Sequence, residues 1–290
     1  MSETAARTVV RLSDVEKTFP LQGGGETVAL RGINLDIQAG EFVSLIGPSG
    51  CGKSTLLRVV GDLIRPTAGT VEVNGKPAQQ ARLDRDYGMV FQAPVLFDWR
   101  TVEANVRLPL EVMNLPRTER AERVRRMLEL VELGGFLRHY PHQLSGGMQQ
   151  RVAIARALCF EPAILLMDEP FGALDEMTRE RLNAEVLQIW ASTGTTVIFV
   201  THSIPEAVFL SSRVVVMSAR PGRITTVVDV DLPQPRTDAT RESDRYYELV
   251  TVVREALRGR LPGGSAGGAG PSDGAAARAS GRTRAEGGIG

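Results

Sequence analysis

The segment Gly47-Pro48-Ser49-Gly50-Cys51-Gly52-Lys53-Ser54 gathers the residue types that handle a polyphosphate. A glycine, four residues and then Gly-Lys-Ser is the spacing of a phosphate-binding loop. Bare backbone N–H groups curl around the anion, and a following helix adds partial positive charge. Lys53 has the reach for the outer phosphates, and the Ser54 hydroxyl can ligate Mg²⁺. Cys51 lies beside that lysine and a helix N-terminus. Both favour thiolate, so a reactive, nucleotide-shielded thiol is expected there. Cys159, after an apolar run, is expected to be buried and inert.

Two further segments have related chemistry. Leu144-Ser145-Gly146-Gly147-Met148-Gln149-Gln150-Arg151 precedes an apolar helical run. Ser145 is a natural N-cap and the glycines leave the backbone bare, which makes a second anion site at a helix N-terminus. Taken alone, an ordinary capped helix has the same pattern. Ala163–Met167 reads as a buried strand ending in Asp168-Glu169-Pro170. A carboxylate at such a strand end can hold Mg²⁺, and the next one can polarise an attacking water.

These elements must be positioned by strands and helices. Glu41–Ile46 reads as a buried strand before the loop, and Thr55–Val60 as the start of a helix after it. Thr8–Leu12 and Leu30–Ile37 alternate apolar and polar residues, and Thr70–Gly75 adds a strand and turn, which together give an antiparallel lobe. From about Val95 to Leu158 the pattern is helical, with Val124, Met127, Leu128 and Val131 on one face. After Ala163 strand and helix alternate, which implies a parallel sheet wrapped by helices. Beyond Gly259 the chain is dominated by Gly and Ala and is expected to be a disordered tail.

Taken in order, these motifs resemble the ATP-binding subunits of ABC transporters. The series comprises the phosphate loop, a glutamine in Val90-Phe91-Gln92, the segment at Leu144–Arg151 and the Asp168-Glu169 pair. It continues with Gly172-Ala173-Leu174-Asp175 and the histidine of Ile198-Phe199-Val200-Thr201-His202, covering most of the first 220 residues. The resemblance implies an α/β P-loop NTPase cassette over residues 1–258, with a RecA-like core, an antiparallel β lobe and a helical subdomain near residues 95–158.

It also implies roles. Glu169 is the catalytic carboxylate, His202 the switch histidine at the γ-phosphate, and Gln92 the residue that senses γ-phosphate and Mg²⁺. Nucleotide contacts fall on Gly47 to Ser54, on Thr55, and on Ser145, Gly147 and Asp175, the last reaching a partner subunit. Mg²⁺ falls to Ser54, Gln92 and Asp168. Phe19 matches the aromatic that stacks on adenine, although an aromatic at a strand end is also often core. One position departs from the family: Met148 stands where a glutamine is usual, which removes a side-chain hydrogen bond to the ribose.

Composition limits the alternatives. The 290 residues are 42% hydrophobic, enough for a full core, and the formal net charge is zero, which argues against a general nucleic-acid binder. No apolar run approaches the roughly 20 residues that span a bilayer, and Met1–Arg7 has no apolar signal core. The chain is therefore expected at the cytoplasmic face of the plasma membrane, bound to separate permease subunits. The expected assembly is a head-to-tail pair of cassettes with ATP and Mg²⁺, served indirectly by a solute-binding protein.

Gln92–Val102 and Met217–Ile224 look most like the nitrate/sulfonate/taurine importer group, which also contains pyrimidine-precursor and riboflavin importers. Phe97, Asp98, Trp99 and Arg100 are expected to help seat the permease. A soluble ABC ATPase acting on DNA or the ribosome is the rival class, but its usual coiled-coil insertion or second cassette is missing here.

Overall fold

The computed structural model describes residues 7–21 and 23–260. The turn expected at Gln22–Glu26 therefore falls partly outside the described residues, as do the tail from residue 261 onward and the extreme N-terminus.

Two sheets form the frame. β1 (Thr8–Pro20), β2 (Glu26–Gln38), β4 (Ala68–Val73) and β5 (Lys76–Pro77) make an antiparallel sheet in the order β2-β1-β4-β5. The second sheet has six strands in the order β10-β9-β3-β8-β7-β6. These are β3 (Phe42–Ile46), β6 (Tyr87–Val90), β7 (Ile164–Asp168), β8 (Thr196–Val200), β9 (Arg213–Met217) and β10 (Ile224–Asp229). Its strands are parallel except β10, which pairs antiparallel to β9.

β3, β7 and β8 are buried along their whole length, as strands of a sheet covered on both faces must be. Their residues alternate between two cores. Phe42, Leu165, Met167, Val197 and Phe199 point to one side, and Val43, Leu45, Leu166, Ile198 and Val200 to the other. The second core lies between the two sheets and takes up Leu56, Leu57 and Val60 from α1 (Lys53–Val60). Fully burying one such side chain stabilises the fold by roughly 1.5–3 kcal/mol, so this sheet is a rigid platform.

The first core is closed by helices. α3 (Val102–Val112), α4 (Arg117–Leu130) and α5 (Gly146–Leu158) occupy the stretch expected to be helical, and Val124, Met127, Leu128 and Val131 are buried there. α6 (Glu176–Thr193), α7 (Ile204–Leu210) and α9 (Asp244–Leu257) cover the rest. The short α2 (Ala78–Leu83) flanks β5, and α8 (Asp238–Arg241) precedes α9. Among the described residues, no helix is long and apolar enough to cross a membrane.

Candidate nucleotide site

The phosphate loop links β3 to α1, as its sequence requires. Gly50 and Gly52 have φ of 74° and 99°, a backbone region that side chains resist. Gly52 also packs closely: a Cβ there would stand 2.8 Å from Leu30 Cδ2 and 3.0 Å from the Ala29 carbonyl oxygen. Lys53 is buried, and its Nζ donates to the carbonyls of Gly47 at 2.8 Å and Pro48 at 3.2 Å. The ammonium is thus held inside the curl of the loop.

The loop opens into a cavity of about 530 Å³ lined by Phe19, Thr27, Ala29, Ser49, Gly50, Gly52, Lys53, Ser54, Thr55, Glu169 and Arg220. Phe19 is half-buried on β1, with Lys17 Nζ 5.0 Å from its ring centroid, and it faces the cavity instead of sinking into the core. β1 continues beyond the expected Leu12 through Pro20, and that extension carries the ring to the loop.

Asp168 ends β7 next to the loop. The Ser54 hydroxyl donates to Asp168 Oδ1 at 2.6 Å, and Arg58 lies 3.6 Å from Oδ2. Hydroxyl and carboxylate oxygens are the hard ligands that Mg²⁺ takes alongside phosphate oxygens and water, so this pair fits the ion. Glu169 follows at φ 46°, a conformation that turns its side chain away from the strand direction and into the cavity. Its N–H donates to the Val200 carbonyl at 3.0 Å, locking the turn to β8.

His202 follows β8 and is exposed, and its Nδ1 lies 3.5 Å from Glu169 Oε2. Gln92 is also exposed. A Cβ on Gly172 would stand 3.4 Å from Gln92 Nε2 and 3.8 Å from Glu169 Oε2, so amide and carboxylate converge on that glycine. The arrangement can hold a polyphosphate, balance its charge and offer a carboxylate to a water at its outer end.

Ser145, Gly147 and Asp175 lie apart from this cavity, whose lining includes none of them. Ser145 caps α5, accepting from Met148 N–H at 3.3 Å, and is exposed with Gly146. Gly147 packs on α6, where a Cβ would stand 3.1 Å from Thr178 Cγ2. Asp175 caps α6. Hydrogen bonds from Thr178, chiefly its backbone N–H, hold the Asp175 carboxyl below the usual range.

Cys51 departs from expectation. It is only 1% exposed, and its sulfur packs in the core between the two sheets, against Gly47 and within 4.0 Å of Lys53 Nζ. The helix terminus and the lysine are where the sequence puts them, but the thiol turns away from the cavity. Only its backbone belongs to the loop, with the Cys51 N–H donating to the Pro48 carbonyl at 3.2 Å. Cys159 is buried as expected, and burial pushes its thiol up to about 12.

Several contacts had no sequence signal. Gln150 Nε2 donates to the Phe91 carbonyl at 3.2 Å, and Arg156 donates to those of Pro94 and Val95, both at 2.9 Å. α5 thereby grips the segment around Gln92. Glu206 is buried behind His202, hydrogen-bonded to the Thr201 hydroxyl, and burial raises its pKa.

Residues 30–172 match the ABC transporter family model. The chain is 44% identical over 240 residues to the aliphatic sulfonates import ATP-binding protein SsuB of Bacillus cereus, covering 83% of this chain and 92% of that one. It is 41% identical over 257 residues to the nitrate import ATP-binding protein NrtD of Synechocystis, covering 87% and 96%. Among solved structures, a dimeric ATP-binding cassette in a post-hydrolysis state with ADP and phosphate bound superposes with a TM-score of 0.67 at 38% identity. That match covers 76% of this chain and 98% of the other. The chain belongs to the ABC transporter family and is an ATP-binding, ATP-hydrolysing P-loop cassette.

Proposed function

We propose that this cassette powers import of a small solute of the nitrate or sulfonate type through separate permease subunits, working as a head-to-tail pair at the cytoplasmic face of the membrane. The observation that carries this reading is the split of the phosphate-handling groups. One set lines a cavity within the chain, while Ser145 and Asp175 stand exposed outside it. A second copy facing the first would bring its Ser145 helix terminus to the open side of the bound nucleotide. The importers SsuB and NrtD supply the solute class.

Within the site, Lys53 and the loop amides hold the phosphates, while Ser54, Asp168 and Gln92 would hold Mg²⁺. When bound, that ion neutralises phosphate charge during transfer. Glu169 orients and polarises the attacking water, and His202, in contact with Glu169, keeps that carboxylate aimed at the γ-phosphate position.

Coupling to a permease has a physical route. The Arg156 that holds Pro94 and Val95 also lines a groove of about 440 Å³ with Tyr87, Met89, Pro109, Val112 and Phe160. The groove is largely apolar and suits an amphipathic cytoplasmic helix. Trp99, 74% exposed and 5.0 Å from Phe97, offers a separate exposed aromatic anchor, while Arg100 is tied to Glu111 at 2.8 Å. A solute-binding protein would meet the permease and not this chain.

The test is uptake by proteoliposomes containing the chain with its permease. Labelled nitrate and an aliphatic sulfonate should enter only with internal ATP. Uptake that persists with Glu169→Gln would overturn the proposal.

A further inference from the structure

We propose that Arg220 is a nucleotide-binding residue whose guanidinium contacts the phosphate chain of ATP. Four observations converge on it.

The first is that Arg220 lines the nucleotide cavity although it lies 170 residues from Gly50 in the chain. Its Nε donates to the Gly50 carbonyl at 3.1 Å, and a Cβ on Gly50 would stand 3.0 Å from Nη2. Gly50 is in the middle of the phosphate loop, so the guanidinium lies against the wall that wraps the anion.

The second is that the turn carrying it, Ser218–Arg223, is fastened to the site. Gly222 N–H donates to the Ala29 carbonyl at 2.9 Å, and Arg31 N–H donates to the Gly222 carbonyl at 3.0 Å. Gly222 lies so close to the phosphate loop that a Cβ would fall 2.0 Å from the Cys51 carbonyl oxygen. Only glycine allows that approach. Within the turn, Ser218 N–H donates to the Arg223 carbonyl at 2.9 Å, and Arg223 N–H donates to Ser218 Oγ at 3.1 Å. Arg220 is therefore presented to the loop by a braced turn.

The third is that the charge has no partner of its own. Other described arginines near the sheet are paired with a carboxylate, as Arg213 is with Glu41 at 3.0 Å and Arg58 with Asp168 at 3.6 Å. Among the described residues, Arg220 forms no ion pair, and its one hydrogen bond uses Nε, leaving both Nη groups to bind elsewhere.

The fourth is chemical. A guanidinium stays charged at any working pH, and its planar fork matches two phosphate oxygens. Lys53 supplies one positive charge from within the loop, and Arg220 supplies a second from the rim.

The experiment is MgATP and MgADP binding to the full chain by calorimetry, for wild type, Lys53→Ala, Arg220→Ala, Arg220→Met and Arg220→Lys. We expect Arg220→Ala and Arg220→Met to raise Kd about tenfold, the scale of one charge-assisted hydrogen bond lost, and Arg220→Lys to recover part of it. Wild-type affinity should also fall more steeply with KCl than that of the alanine variant. Thermal unfolding of the apo variants reports whether the turn survives; an exposed arginine should leave Tm nearly unchanged. Wild-type Kd in Arg220→Ala or in Arg220→Met overturns the proposal. If Lys53→Ala also binds normally, nucleotide binding at this loop itself is what fails.

Discussion

Two helix N-termini in this chain offer amides to an anion, and they are finished in opposite ways. α1 begins at Gly52, in a left-handed conformation with no side chain to cap it, so its first N–H groups are left to a ligand. Its surroundings are complete: β1 supplies Phe19, β2 Ala29, the end of β7 Glu169 and the turn after β9 Arg220. α5 begins at Ser145, whose own hydroxyl takes the Met148 N–H, and its glycines lie against Leu174, Thr178 and Leu182 of α6 and the turn before it. The first terminus is a socket built from the loop and four distant segments. The second is a capped helix end whose Ser145 and Gly146 are exposed while Gly147 is buried, which in the proposed pair would serve as half of a site. Under the proposed pairing, binding is a property of one chain and hydrolysis a property of two.

The largest effect tests the catalytic part of the socket. Glu169→Gln keeps the shape of the cavity and removes the proposed base. ATP should still bind, while turnover falls by about 10²–10⁴-fold, the usual contribution of a positioned general base. Sedimentation with MgATP should show a stable dimer, and a strictly monomeric, ATP-loaded variant would break the link between the two helix ends.

Ser145→Arg attacks the other end. A bulky cation there fills the half-site and opposes the positive end of the α5 dipole. MgATP affinity of the isolated chain should stay within about twofold. Turnover should fall roughly 10²-fold, comparable to losing one preorganised oxyanion donor. Combined with Glu169→Gln, the same change should abolish the ATP-trapped dimer. Weakened ATP binding by the monomer would mean that the two sites are not separable.

The thiols sharpen the same contrast at a smaller scale. Cys51 is part of the loop but its sulfur is in the core, and Cys159 is shielded behind α3 and α5, bonded to the Val106 carbonyl at 3.2 Å. Neither should react quickly with maleimide in the native chain at pH 7, with or without ATP, and both should react on unfolding. Fast, ATP-protected modification of Cys51 would show that the loop opens far more than its packing implies.

How much of this was legible beforehand follows the range of the interactions. β3, the phosphate loop and α1 are continuous in sequence, and local rules suffice for them. Asp168, Glu169 and His202 are legible because each ends a run of buried residues. β6 is short and interrupted by Gly88, so it does not read as a strand. The glycine is there because the Ala157 carbonyl would come within 2.3 Å of any Cβ, and that contact is invisible along the chain. Arg220 and Gln150 lie in segments that the family resemblance marks, but their contacts, like those of Arg156, cross 59–170 positions of sequence separation and cannot be read along the chain. Cys51 shows the opposite failure: its neighbours along the chain are those of a phosphate loop, but its side chain is buried in the core between the two sheets, and that packing is set by residues distant in sequence.

Met148 gives the smallest effect and the finest test of the half-site. The residue is half-buried, and its side chain packs against the larger core while its N–H serves the Ser145 cap. If the proposed pairing holds, Met148→Gln would restore a hydrogen-bonding amide towards the partner's nucleotide, for a gain of about 1 kcal/mol or less. The same change removes a thioether from an apolar contact and asks a polar group to sit in its place, a loss of similar size. The two terms act on different measurements. The packing loss should appear in the monomer, as a Tm lower by roughly 2–4 °C per kcal/mol. The hydrogen-bond gain should appear only where two chains meet, as a KM for ATP lowered by no more than about fivefold at unchanged monomer affinity. A variant that instead tightens ATP binding by the monomer would place this side chain within reach of its own nucleotide, and the division between socket and half-site would have to be redrawn.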